Sequence, residues 1–275
     1  MVRLTVLASG SKGNSAVISS SAGSILVDAG LSCRETLRRM HAAGEDPHAL
    51  KAIVVTHEHQ DHVNGLPVLA RKLKVPIYMT PATHDAWAQW VRGAAGKQSA
   101  MFPEDDKAHI DCLEHFHSGQ GFQIGDIAVL PFTIPHDAAD PVGFVFQIDG
   151  VRVGVVTDLG YMPSNVRMHL RGCDVLMVES NHDLEMLRGG PYPWSVKQRV
   201  MSRVGHLSNE ALAEFFSKDY DGGAAFVILA HLSECNNHPE LARGMAERAL
   251  GPRGNLLGNR VLLALQSLPT ESICL

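Results

Sequence analysis

The chain has 275 residues, of which 45% are hydrophobic and 19% charged, and a formal net charge of −5. That much apolar chain supports a deep core without disulfide staples, and it excludes collagen-like, disordered and mini-protein classes. The negative balance gives no bulk attraction to polyanions, and no apolar run reaches the roughly 18 to 20 residues of a spanning helix. The five cysteines (Cys33, Cys112, Cys173, Cys235, Cys274) are scattered without a CxxC pair, so reduced thiols are expected. MVRLTVLASG passes straight into polar SGSKGNS with no leader-like apolar stretch, which makes cytoplasmic residence the expectation.

In chain order, Val2 to Ala8 reads as a strand, SGSKGNS as a turn, and Ala16 to Ser20 with Ile25 to Val27 as a hairpin ending at Asp28. A helix is expected over Cys33 to Ala43, then a buried β-branched strand over Ala52 to Val55 that ends at Thr56. A second helix runs from Asn64 to Lys74 and stops before Pro76. Strands follow over Ile127 to Phe132, Gly143 to Ile148 and Val151 to Val156, the last two joined by an Asp149-Gly150 turn. A strand over Asp174 to Val178, helices over Ser195 to Val204 and Asn209 to Lys218, a strand over Ala225 to Leu229 and a helix from Pro239 complete the pattern. The alternation predicts an α/β protein, α+β in some schemes. With no linker and no fixed repeat, residues 1–275 are expected to form one domain. IVVTHEH and VILAHLS echo one another, each a buried strand that delivers a histidine at its C-terminal end.

The densest chemistry is Thr56-His57-Glu58-His59-Gln60-Asp61-His62, an HxHxDH motif directly after a buried strand. Residues two apart in extended chain face the same way, so His57 and His59 can converge on one ion. Asp61 and His62 then face a second ion as the chain turns into the next helix. Imidazole with carboxylate suits Zn, Mn or Fe(II), and the lack of cysteine argues against a structural zinc finger. His136, Asp158 and His231 also fall at the ends of apolar runs. The set divides into His57, His59 and His136 for one ion and Asp61, His62 and His231 for the other, with Asp158 bridging. Taken singly, each late candidate also reads as a buried polar residue with its hydrogen bonds satisfied.

The order Asp28, HEHQDH at 57–62, His136, Asp158, His231 resembles the motifs of the metallo-β-lactamase superfamily across nearly the whole chain. LASGSKGNSAV, PHDAADPVGF, VTDLG, VESNHD, YPWSVKQRVMSRVGHLSN and LAHLSECNNHPELA are similar to its YycJ/WalJ (VicX) branch of metal-dependent DNA exonucleases. The resemblance implies a four-layer αββα sandwich with a di-metal site at one edge between the sheets. It implies two divalent ions, Zn or Mn with Fe as a further option, and a nucleic-acid substrate, DNA before RNA. The matching position gives Asp28 the task of orienting a histidine or the HxHxDH loop, beside an ordinary use as a turn cap. Short intervals from His136 to Asp158 and from Asp158 to His231 leave no room for a βCASP insertion, and Cys235 matches no ligand motif.

The implied chemistry is phosphodiester hydrolysis by a hydroxide held between the ions, with Asp61 both a ligand and the residue that orients that hydroxide. Gly205-His206-Leu207-Ser208-Asn209 resembles the segment by which RNase Z-like enzymes present a histidine to the scissile phosphate. Ser208 or Asn209 would also cap the next helix. His182 is expected either as an acid or substrate contact or as a core hydrogen-bonding residue. Lys197, Arg199 and Arg203 lie either on a wet helix face or beside the phosphates, and Tyr192 and Trp194 either stack a base or pack a loop. The loop from Ser9 to Ser15 lacks P-loop order; it either touches a phosphate or serves as a tight turn. The competing readings are a glyoxalase-II-like thioester or lactone hydrolase on the same ions, and a non-catalytic metal-binding regulator.

Overall fold

A computed structural model of the chain describes residues 1–94, 109–251 and 259–275. In chain order come β1 (Arg3–Ala8), β2 (Ser15–Ser19), β3 (Ser24–Val27), α1 (Cys33–Ala42), β4 (Leu50–Val54), α2 (Gln60–Val63), α3 (Leu66–Leu73) and β5 (Ile77–Met79). Next are α4 (Pro81–Ala94), β6 (Leu113–His115), β7 (Phe122–Ile124), β8 (Ile127–Thr133), β9 (Val142–Ile148), β10 (Val151–Val156), α5 (Ser164–Leu170) and β11 (Val175–Glu179). The remainder is α6 (Leu184–Gly189), α7 (Trp194–Val200), α8 (Asn209–Lys218), β12 (Phe226–Ala230), α9 (Pro239–Leu250), β13 (Arg260–Leu263) and β14 (Ile273–Cys274).

The strands form two sheets, ordered β14-β1-β2-β3-β4-β5-β6 and β13-β12-β11-β10-β9-β8-β7. In each, an antiparallel stretch gives way to a parallel one, at β3–β4 in the first sheet and at β10–β11 in the second. The central parallel strands β11 and β12 are apolar on both faces, as strands covered on both sides must be. In β11, Val175 and Met177 enter the core between the sheets, while Leu176 and Val178 face outward. That outer face packs on Val166 and Leu170 of α5, Phe215 and Phe216 of α8 and Ala246 of α9. Leu26 and Ile53 of the first sheet likewise pack outward on Met40 of α1, Leu69 of α3 and Trp87 of α4. Three apolar layers therefore separate four layers of secondary structure, αββα, as the resemblance implies.

Local chemistry sets most boundaries. Ser32 caps α1, its hydroxyl accepting the Glu35 N–H at 3.3 Å, and Ser208 caps α8 by accepting from Ala211 at 3.1 Å. Asp149 and Gly150 take φ of 49° and 83°, the two left-handed positions a tight hairpin between β9 and β10 requires. Two expectations change. The helix expected from Asn64 begins instead after Gly65, as α3 with Pro67 in its first turn, and a separate short helix, α2, precedes it, so Asp61 and His62 sit inside a helical turn. The helix expected to reach Val204 ends at Val200, because the chain doubles back there: the His206 N–H donates to the Val200 carbonyl at 2.9 Å. A Cβ at Gly205 would overlap the carbonyls of Arg199 and Val200, so only glycine permits this return. Helices α4 to α6 and the two- to four-residue strands β5, β6, β7, β13 and β14 had no sequence expectation; the strands are too short to carry a readable period, whereas α4, at 14 residues, is not.

Candidate metal centre

The site lies where strands of both sheets end. β3 delivers Asp28, β4 delivers Thr56 and His57, β10 delivers Asp158, β11 delivers Glu179, and β12 delivers His231. Asp28, Asp158 and His231 take φ of 60°, 61° and 53°, left-handed values that cost a non-glycine residue about 1 kcal/mol or more. The surrounding hydrogen bonds hold them there.

Asp28 works behind the HxHxDH loop. Its Oδ1 accepts the Thr56 N–H at 2.8 Å, and its Oδ2 lies 2.8 Å from His62 Nδ1 and accepts that N–H. The Thr56 hydroxyl donates to Asp28 at 2.9 Å, so its oxygen is left to accept from His57 Nδ1 at 3.0 Å. Both histidines are thereby set in the tautomer that turns an unprotonated Nε2 toward the centre. His136 is set in the same way, its Nδ1 donating to the Gly205 carbonyl at 3.2 Å while Nε2 lies 3.2 Å from His59 Nδ1. Gly30 is required alongside, because a Cβ there would overlap the Asp61 carbonyl.

Glu179 does the corresponding work in the second sheet. Fully buried, its Oε1 accepts from His206 Nδ1 at 2.8 Å and His231 Nδ1 at 2.9 Å. Its Oε2 accepts the N–H groups of Leu159 at 2.9 Å and Leu207 at 3.0 Å. In the sequence Glu179 stands only as the first residue of the ESNHD segment, with nothing local to assign it a task. Its one signal was an acid closing an otherwise apolar strand, VLMVE.

Donor atoms of four overlapping groups come within 4.8 Å of one another: His57 with His59 and His136; Asp61 with His62 and His231; His57 with His62 and Asp158; and Asp158 with Glu179, His206 and His231. Asp158 belongs to the groups on both sides. His57 Nε2, His231 Nε2 and Asp158 Oδ2 are buried without a hydrogen-bond partner. Such orphans cost about 1–3 kcal/mol each unless a cation takes them up. Charge points the same way. Burial opposes a charge on His231, but Asp158, Asp61 and Glu179 outweigh it and push the imidazole up to about 10. Burial likewise works against ionised Glu179, yet His206 and His231 hold it down at about 2. The site demands positive charge, and its oxygen and imidazole donors suit divalent ions.

His206 abuts the cluster, its ring 5.4 Å from that of His136 and 5.1 Å from that of His231. His182 does not join it. That ring is 1% exposed, burial lowers it to about 4, and its residue instead bridges the backbone to Ser208. Its Nδ1 lies 3.3 Å from Asn181 Oδ1, the core hydrogen bond that is one of its two expected uses. Cys235 is absent from every donor group among the described residues, and Trp194 is exposed at the start of α7.

Sandwich and site together define a hydrolase-type metal centre, and the chain belongs to the beta-lactamase superfamily, whose domain model matches residues 24–231. It is 36% identical over 253 residues to exodeoxyribonuclease YycJ of Bacillus anthracis, a match covering 92% of this chain and 90% of that one. It is also 36% identical over 240 residues to exodeoxyribonuclease WalJ of Streptococcus pneumoniae, covering 87% and 85%. Among solved structures, the metallo-beta-lactamase fold protein YhfI of Bacillus subtilis superposes with a TM-score of 0.66 over 98% of this chain and 99% of its own, at 17% identity.

Proposed function

We propose that this chain is a metal-dependent nuclease that cleaves DNA phosphodiester bonds as an exonuclease, with two divalent ions, Zn or Mn, between the sheets. The observation that carries the reading is the run of four overlapping donor groups linked through Asp158, in which His57 Nε2, Asp158 Oδ2 and His231 Nε2 are buried without a hydrogen-bond partner. The names of the two 36%-identical relatives turn the chemistry toward DNA and away from a thioester or lactone. His57, His59 and His136 would hold one ion and Asp61, His62 and His231 the other, with Asp158 available to both.

Bound there, divalent ions supply a nucleophilic water at neutral pH and neutralise charge gathering on phosphorus. The protein supplies the rest. Asp61 accepts and aligns the proton of the attacking water. His206, with Nδ1 committed to Glu179, offers Nε2 to a phosphoryl oxygen or to the leaving oxygen. Asp28 and Glu179 keep the histidines from turning. We read residues 1–275 as one domain without a βCASP insertion, since a single apolar core joins both sheets. The proposed setting is cytoplasmic; among the described residues no helix is long and apolar enough to cross a membrane.

The test is metal analysis coupled to digestion of end-labelled DNA and RNA with Mn, Zn and Mg supplied in turn. Mononucleotide release from DNA is expected. An inert but metal-loaded protein overturns the reading. His206→Ala is expected to keep its metal while turnover falls by about 10²-fold or more; loss of metal would make His206 a ligand instead.

A further inference from the structure

A chain of net charge −5 must still hold a polyanion. The structure separates the three basic residues of the segment leading to His206. Lys197 is buried and its Nζ donates to the Arg188 carbonyl at 2.7 Å, while the Arg203 guanidinium stacks 4.1 Å from the centre of the Tyr161 ring. Arg199 reaches the metal centre. Its side chain is 57% exposed, and Nε and Nη2 donate to the two oxygens of Asp137 at 2.6 and 3.1 Å. Asp137 in turn lies 3.5 Å from His136 Nε2. Nη1 of Arg199 has no partner among the described residues.

Beside the other donor group, a cavity of about 430 Å³ opens against Asp61, lined by Ser11, Lys12, Gly30, Gln60 and Asn64. No apolar side chain lines it. The loop between β1 and β2 that forms it is fastened to the metal centre at two points. Ser9 Oγ accepts the His231 N–H at 2.7 Å, and the Asn14 amide donates to Asp61 Oδ2 at 3.1 Å. Lys12 is 67% exposed and meets Glu234 at 2.5 Å, three residues past His231.

We propose that Lys12 and Arg199 grip the backbone of a nucleic-acid strand at the phosphates flanking the one under attack, each from beside a different donor group. The proposal rests on the nuclease reading and deepens it. Glu234 and Asp137 hold the two cations in place until the strand arrives. Exposed pairs of this kind are weak, so exchanging a carboxylate for a phosphate costs little. Arg199 can keep Asp137 and still present Nη1 to a phosphate oxygen. Both contacts ignore base identity, so the protein favours a polynucleotide over an isolated diester whatever its sequence.

The experiment measures binding of a labelled single-stranded oligodeoxynucleotide to chelator-treated full-length protein by fluorescence anisotropy across a salt series. Lys12→Glu and Arg199→Glu are each expected to weaken binding about tenfold. Lys12→Ala and Arg199→Ala, gentler on the fold, should each reduce the slope of log affinity against log salt by about one. Glu234→Gln, which frees Lys12, should tighten binding. A mere latch across the cleft would respond in the same direction to loss of either partner. Affinities and slopes equal to wild type, or Glu234→Gln weakening binding as Lys12→Ala does, overturn the proposal. If wild-type protein cuts DNA while these variants bind normally, only the grip is wrong. If wild-type protein neither binds nor cuts nucleic acid, the nuclease reading fails and the grip falls with it.

Discussion

The first sheet brings four donor side chains to the site from six consecutive positions, His57 to His62, whereas the second brings His136, Asp158, His206 and His231 from four separate loops. Each half places a buried acid behind its histidines. Asp28 serves one imidazole together with the amide and hydroxyl of Thr56. Glu179 serves two imidazoles and two amides drawn from three different loops. A contiguous motif therefore needs only a local brace, while a dispersed set hangs on one carboxylate and on the register of β10, β11 and β12. The second half is the more interdependent, and loss of its central acid is the more damaging.

The sharpest way to break this comparison is at the residue shared by both halves. Asp158→Ala is expected to lower metal content and cut hydrolysis of bis-p-nitrophenyl phosphate by at least about a hundredfold. Wild-type turnover in that variant would remove Asp158 from the centre. Glu179→Gln keeps the shape but not the full acceptor capacity, so metal affinity should fall by about 10–100-fold in a chelator competition. Glu179→Ala adds stranded amides at Leu159 and Leu207, at a cost of about 3 kcal/mol read from thermal unfolding. Asp28→Asn, which perturbs one histidine, should lower metal affinity by about tenfold. A loss as large as that of Glu179→Gln would show that both halves depend equally on their acids. Away from the site the halves should respond alike: Ser32→Ala and Ser208→Ala each remove a cap worth about 1 kcal/mol in denaturant unfolding.

Legibility followed the same division. The HxHxDH loop was readable because spacing within an extended strand end or a single turn fixes which side chains are neighbours. His136, Asp158 and His231 are legible only as polar residues ending apolar runs, and nothing local in the sequence divides them between two groups. The echo between IVVTHEH and VILAHLS is placed differently by topology. β3 and β10 hold the equivalent positions in their sheets, each ending in a left-handed aspartate, and β4 corresponds to β11 rather than to β12. Glu179 escaped notice because a strand-end acid has the same appearance whether it caps a turn or orients two histidines. Among Lys197, Arg199 and Arg203, helical spacing could not say which one reaches the centre; that depended on where α7 ends.

By itself, the amino-acid sequence determined the strand-and-helix alternation, the apolar strands buried on both faces, and a ligand-rich loop at the end of one of them. Those features are local, set by periodicity, caps and turns over a few residues. The resemblance already placed Asp28 behind a histidine; tertiary structure alone decided that Glu179 stands behind two more, that His182 faces inward, and that Lys12 and Arg199 stand beside different donor groups. Those contacts join residues tens to hundreds of positions apart, and they come into being only when the two sheets close on a common core.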